Sequence, residues 1–167
     1  MRSDQLFDIG VLFDAATDFA AVAASYDAVC AQESGYRPNK PNRDSALGDT
    51  LRACLALTAS RRPQLESYPD HVHLHDGLDK MRGHLTTPAY VSDRESRRRL
   101  AAKAAVLAAH LRAGRVFDFA TARYTGSAAQ INALRSASLN GRPHSWIDGL
   151  KAVNPEAYHY WHLVSSL

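Results

Sequence analysis

The sequence predicts an all-α fold, one compact multi-helix bundle of six to eight helices over residues 1–167, arranged around a central helix at about 92–114. Three observations carry that prediction. Apolar residues recur at spacings of three and four over most of the chain, which places them on single faces of helices. No run of alternating β-branched residues is long enough to supply a sheet. Residues 92–114, SDRESRRRLAAKAAVLAAHLRAG, hold the clearest element. Ser92 and Glu95 have capping-box spacing, and Gly114 sits where a left-handed terminator belongs. Leu100, Ala104, Leu107 and Leu111 form one face, with Ala102, Ala105 and Ala109 forming a second. A helix able to accept neighbours on two sides is a natural centre.

The other elements follow in order. Residues 4–33 read as helical with a break near Asp14–Thr17, and Gly35 closes the unit. GYRPNKPNR, residues 35–43, is a loop by its prolines, asparagines and glycine. Asp44 is placed to cap a helix whose Leu47, Leu51, Cys54, Leu55 and Thr58 share a face, ended by Pro63. Residues 63–69 read as a short turn. Asp70 is placed to cap a helix through Leu74, Leu78, Met81 and Leu85, weakened by Gly77 and Gly83 and stopped at Thr87-Pro88. Val116–Arg123 reads as one helix. Ser127 with Gln130 reads as a second capping box, opening a helix with Ile131, Leu134 and Leu139 that stops at Asn140-Gly141. Ser145 is placed to cap Trp146–Val153. Asn154-Pro155 restarts the chain, since proline suits a first helical position, and the last helix carries Tyr158, Trp161, His162 and Leu163.

At 167 residues, 46% of them hydrophobic, the chain can bury a proper core. No apolar run reaches the twenty or so residues of a membrane span, and the opening MRSDQLFDIG lacks signal-peptide layout, so no membrane partner and a cytoplasmic location are expected. Cys30 and Cys54 fall within apolar helical patterns and read as buried free thiols. The net charge of +3 is unevenly spread. Residues 1–36 hold six acids and one base, residues 82–142 eleven bases and three acids. That asymmetry points to a polyanion, or to the basic part docking on an acidic one. Sixteen arginines against four lysines favour bidentate phosphate or carboxylate contacts.

Chemistry has three candidate locations. In VFDFATARYTGSAAQINALRS, residues 116–136, two predicted helices meet at a short turn containing Gly126, with Ala120 or Ala122 small enough for close contact. Ser127, Gln130, Asn132 and Arg135 are types that read base edges and phosphates, with Arg123 and Arg142 flanking. The stretch resembles the helix-turn-helix of bacterial repressors, with Ile131 one position early relative to the turn; the resemblance implies a small bacterial or phage DNA-binding regulator. An amphipathic hairpin in a bundle is the plainer alternative. Second, DHVHLHDGLD, residues 70–79, aligns His71, His75 and Asp79 on one helical face as a ligand set for zinc or iron, with His84, His159 or His162 as further ligands. Glu156 and His159 repeat a Glu-x-x-His spacing found in di-iron bundles, but the remaining carboxylates and second motif are missing. Third, Arg94, Arg97 and Arg98, with Arg112 further along the same side, form a stripe able to follow a phosphate backbone, or to pair with the acidic N-terminal unit. Nucleophile-elbow, Walker and dinucleotide motifs are absent, and His75-Asp76 lacks the upstream histidine of HD-type phosphohydrolases.

The sequence therefore favours a non-catalytic nucleic-acid-binding regulator without a cofactor. It would use Arg94, Arg97, Arg98, Arg123, Ser127, Gln130, Asn132, Arg135 and Arg142 on DNA or another polyanion. The alternatives are an adaptor or antitoxin-like protein binding an acidic partner, and a metal-dependent enzyme using His71, His75 and Asp79.

Overall fold

Residues 3–36, 42–59, 71–84, 93–139 and 144–167 are described by the computed structural model. Their helices run α1 (Ser3–Ala15), α2 (Phe19–Tyr36), α3 (Arg43–Ala59), α4 (His71–Arg82), α5 (Arg94–Ala113), α6 (Phe119–Ala122), α7 (Ala128–Ser136), α8 (Leu150–Val153) and α9 (Pro155–Ser165), with a 3₁₀ turn at Ser145–Gly149. The bundle is all-helical among the described residues. It has more pieces than expected because α6 and α8 are single turns.

The central position of α5 follows from its composition. Every residue from Leu100 to Ala109 is buried. Alanines on its faces let α1, α3 and α9 pack directly against it. The helix ends as expected at Gly114, φ 62°. The Arg115 N–H donates to the His110 carbonyl at 3.0 Å and the Gly114 N–H to that of Leu111 at 3.4 Å, a Schellman closure. Its start differs by one residue. Asp93 is the cap, its Oδ1 accepting from the Ser96 N–H at 2.7 Å, a bond that holds this carboxyl below its usual range. Ser92 lies outside the described residues.

An aromatic group fills the space between α1 and α9. Phe13 meets the rings of Phe117, Phe119 and Tyr160 at centroid separations of 5.6, 5.6 and 5.1 Å. A buried polar chain lies on another side of α5. Arg98 Nε donates to the Thr58 carbonyl at 3.0 Å, an acceptor in the last turn of α3. The Arg98 Nη1 donates to Glu95 at 2.7 Å, and Trp161 Nε1 donates to the Thr58 hydroxyl at 3.1 Å. Asn154 caps α9 by accepting from the Ala157 N–H, while its amide donates to Glu95 O at 2.8 Å and Oε2 at 2.9 Å. The restart at Asn154-Pro155 thus also fastens α9 to the first turn of α5.

Gly10 was not singled out by the sequence, yet it sets the α1–α5 approach. A Cβ there would collide with the buried Leu100 Cδ2. Gly10→Ala is therefore expected to destabilise by about 1–3 kcal/mol, the overpacking cost outweighing better helix propensity. Urea unfolding measures it, and a variant as stable as the parent would show that Leu100 simply moves aside.

Several local expectations are corrected. The cap of α3 is Asn42, whose Oδ1 accepts from the Ser45 N–H at 2.8 Å; Asp44 instead binds Arg112. Gly35 lies inside α2, which continues to Tyr36. Val116–Arg123 is not one helix: Arg115–Asp118 has no helical structure, and Asp118 caps the single turn α6 through the Ala120 N–H. Ser127 caps α7 as expected, but the Gln130 side chain does not complete the box; it accepts from Thr125 N–H and donates to the Arg123 carbonyl. No side chain caps the 3₁₀ turn, so Ser145 does not act as predicted. Cys54 is buried, its thiol pushed up to about 12 by desolvation, whereas Cys30 is half-buried. Pro63, the 63–69 turn, Asp70, Leu85, Thr87-Pro88, Asn140-Gly141 and positions 37–41 of the loop lie outside the described residues.

Candidate functional site

The basic residues singled out by the sequence do not form one outward face. Arg97 and Arg98 are buried: Arg97 pairs with Asp79 and Arg98 with Glu95. The Arg97 guanidinium holds the Asp79 carboxyl below its usual range. Arg112 pairs with Asp44 at 2.7 Å and Arg99 approaches Glu156 at 3.8 Å. Arg123 turns inward, its Nη2 donating to the carbonyls of Phe13 at 2.8 Å and Ala16 at 2.6 Å. Arg94 is exposed, and Arg142 lies outside the described residues. The charge asymmetry therefore serves internal pairing to a large extent, and the acids engaged come from several regions, including Asp14 on Lys103.

The hairpin at 116–136 lacks two helices of helix-turn-helix proportions, because α6 is four residues long. The nine-residue α7 buries Leu134 and packs on α9. It leaves Ser127, Asn132 and Arg135 exposed, the last two joined by a 3.5 Å hydrogen bond. Gln130 is half-buried and turned back on its own turn.

His75 is half-buried and Asp79 is bound to Arg97, while the side chain of His71 lies outside the described residues. Among the described residues, no group of three His, Cys, Asp or Glu is placed to hold a metal ion. His159 Nε2 donates to the Ala122 carbonyl at 2.7 Å, and Glu156 engages Lys103 at 3.2 Å, so the pair at Glu-x-x-His spacing is divided between two tasks.

The feature sequence reasoning missed is a solvent-open cavity of about 520 Å³ at the C-terminal end of α5. Its wall is formed by the α1–α2 link and the first turns of α2, by Arg43 at the start of α3, and by the chain from His110 to Phe119. The Schellman closure at Gly114 releases that chain, and Phe117 and Phe119 then pack inward on either side of the exposed Asp118. The His110 ring stands edge-on to Phe19 and Phe117, with centroids 6.2 and 5.1 Å away. Its Nδ1 donates to the Arg115 carbonyl at 3.3 Å, and burial holds its pKa below the ordinary histidine value. Arg43 and Arg115 balance Asp18 and Asp118, so the formal charges of the lining cancel. Most are already engaged. Arg43 donates to Asp27 at 2.6 Å and to the Leu111 carbonyl at 2.8 Å, and Asp18 and Asp118 cap α2 and α6. The visible signal was RVFDF after Gly114, where alternating apolar residues mark extended chain rather than helix.

Among the described residues no helix is long and apolar enough to cross a membrane. Comparison with protein-family models, characterised proteins and solved structures finds no match for this chain.

Proposed function

We propose that this chain is a non-catalytic binding protein that takes a small, uncharged, largely apolar ligand in the cavity at the end of α5. The observation carrying this reading is the cavity itself. Its volume, about 520 Å³, falls in the range of small-molecule sites, and its aromatic wall and balanced charges suit an apolar ring more than an ion. Its ionisable groups are mostly engaged in the fold, Asp18 and Asp118 as helix caps and His110 on the Arg115 carbonyl, which leaves them to shape the site. The test is an NMR titration with 4-phenylbutanol as probe. Shifts confined to amides near Phe19, His110 and Phe117, and lost in Ala23→Phe at unchanged Tm, support the reading. Absence of any shift at millimolar probe overturns it.

A second reading keeps nucleic acid as the partner, favoured by the exposed Asn132 and Arg135 on α7. Among the described residues, Arg97, Arg98, Arg99 and Arg112 are engaged with carboxylates, so binding through α7 is expected to show a shallow salt slope. A mobility shift lost in Arg135→Glu supports it, and indifference to duplex and single strands removes it. An acidic protein partner draws less support, since Arg97, Arg98, Arg99 and Arg112 already meet the chain's own carboxylates.

A further inference from the structure

We infer that His110 makes the cavity proton-linked: the site takes its apolar ligand while the imidazole is neutral and releases it as the ring is protonated. This rests on the cavity being the ligand site. The ring belongs to the wall. Its centroid is 6.2 Å from that of Phe19 and 5.1 Å from that of Phe117, and all three residues line the cavity. His110 is half-buried in a solvent-open site, so the exposed part of the ring is hydrated until a ligand arrives. An apolar body then displaces that water and puts hydrocarbon in its place. A neutral imidazole tolerates the exchange, whereas an imidazolium loses hydration that no ligand atom restores.

The residue is clasped to the chain it faces. The His110 carbonyl accepts from the Arg115 N–H at 3.0 Å, and its Nδ1 donates to the Arg115 carbonyl at 3.3 Å. With the Nδ1 proton committed to that carbonyl, a second proton goes to Nε2 and charges the ring in place. The charged side chains around it on the lining are Asp18, Arg43, Arg115 and Asp118. Asp18 and Asp118 serve as helix caps and Arg43 is bonded to Asp27, which leaves no carboxylate of the lining committed to the ring. Burial is the largest influence and favours the neutral form, as does the Arg115 charge. The carbonyls of Arg115 and Val116 favour the charged form and are outweighed. A bound apolar body deepens the burial and pushes the ring further the same way. By linkage, affinity is full where the ring is neutral in both states and falls as pH drops through the free ring's pKa, which lies below the ordinary histidine value.

NMR titration of the full chain with 4-phenylbutanol at two pH values tests this. Affinity is expected to be at least about twofold weaker near about pH 5 than near about pH 7.5. Saturating probe should also move the midpoint of the His110 ring titration about 0.5 pH lower. His110→Gln keeps a side-chain donor for the Arg115 carbonyl but no titrating group, so its affinity should be the same at both pH values. Should that variant not fold, the ring titration of the parent decides. Equal affinity at both pH values in the parent, or a ring titration unmoved by probe, overturns the proton link and leaves the cavity reading standing. A pH dependence that persists in His110→Gln overturns the link too, since another group then carries the proton. If 4-phenylbutanol shifts nothing at either pH, the cavity reading fails and the link falls with it.

Discussion

Replacing Arg123 by alanine is expected to lower stability by about 3 kcal/mol and the midpoint of thermal unfolding by roughly 9 °C. The side chain meets the end of α1 in three ways. Its Nη2 donates to two carbonyls, Phe13 O at 2.8 Å and Ala16 O at 2.6 Å, at a helix terminus that lacks partners of its own. The positive charge opposes the negative end of the helix. The guanidinium carbon Cζ lies 5.8 and 5.4 Å from the Phe13 and Phe119 ring centroids. Alanine deletes all three and leaves two carbonyls without donors. Arg123→Lys is expected to recover only part of the loss, because a point charge cannot reach both oxygens while stacking on the rings. Chemical unfolding of both variants measures this. A stability for Arg123→Ala within about 0.5 kcal/mol of the parent would mean Arg123 is not structural and would return it to the list of candidate phosphate contacts.

The second large effect belongs to Lys103. This amine, 9% exposed in a run of buried alanines, donates to both oxygens of Asp14 at 2.8 and 3.0 Å and lies 3.2 Å from Glu156. It ties the end of α1 and the start of α9 to the middle of α5. Lys103→Met fills the same volume but leaves two carboxylates facing one another across an apolar patch. The carboxylates are 36% and 26% exposed, so water screens part of that cost. A loss of about 2–3 kcal/mol is expected. Adding Asp14→Asn should restore much of it, since Glu156 still has Arg99 at 3.8 Å. A double-mutant cycle on Lys103 and Asp14 with zero coupling would count against the arrangement.

Both residues show where the sequence stops being informative. The body of α5 was legible because its apolar positions repeat along one local element and Gly114 ends it by backbone geometry alone. The start was legible only to within a residue, since Ser92 and Asp93 are both good caps and side-chain type does not choose between them. Charge was legible as a pattern, but its use was not. Arg97 meets Asp79 eighteen residues away, and Arg123 meets Phe13 across 110 residues of sequence. Such pairings follow from tertiary geometry, to which a local window has no access. The cavity was hidden for a related reason. His110 reads as one more polar position in an alanine helix, and Val116–Arg123 was assigned a helical period although Phe117 and Phe119, two residues apart, both face inward. Ser127, Asn132 and Arg135 do stand exposed, as their polar character suggested.

The position of α5 within the chain bears on how the protein is made. During synthesis α1 and α3 leave the ribosome before the helix on which they pack, and α9, which brings Tyr158, Tyr160 and Trp161, follows all three. Until then Phe13 lacks its Tyr160 neighbour and the Thr58 hydroxyl lacks its indole donor. Completion of the core therefore waits for α9 to emerge, and nascent chains halted before residue 155 should remain open to protease along α1 and α3.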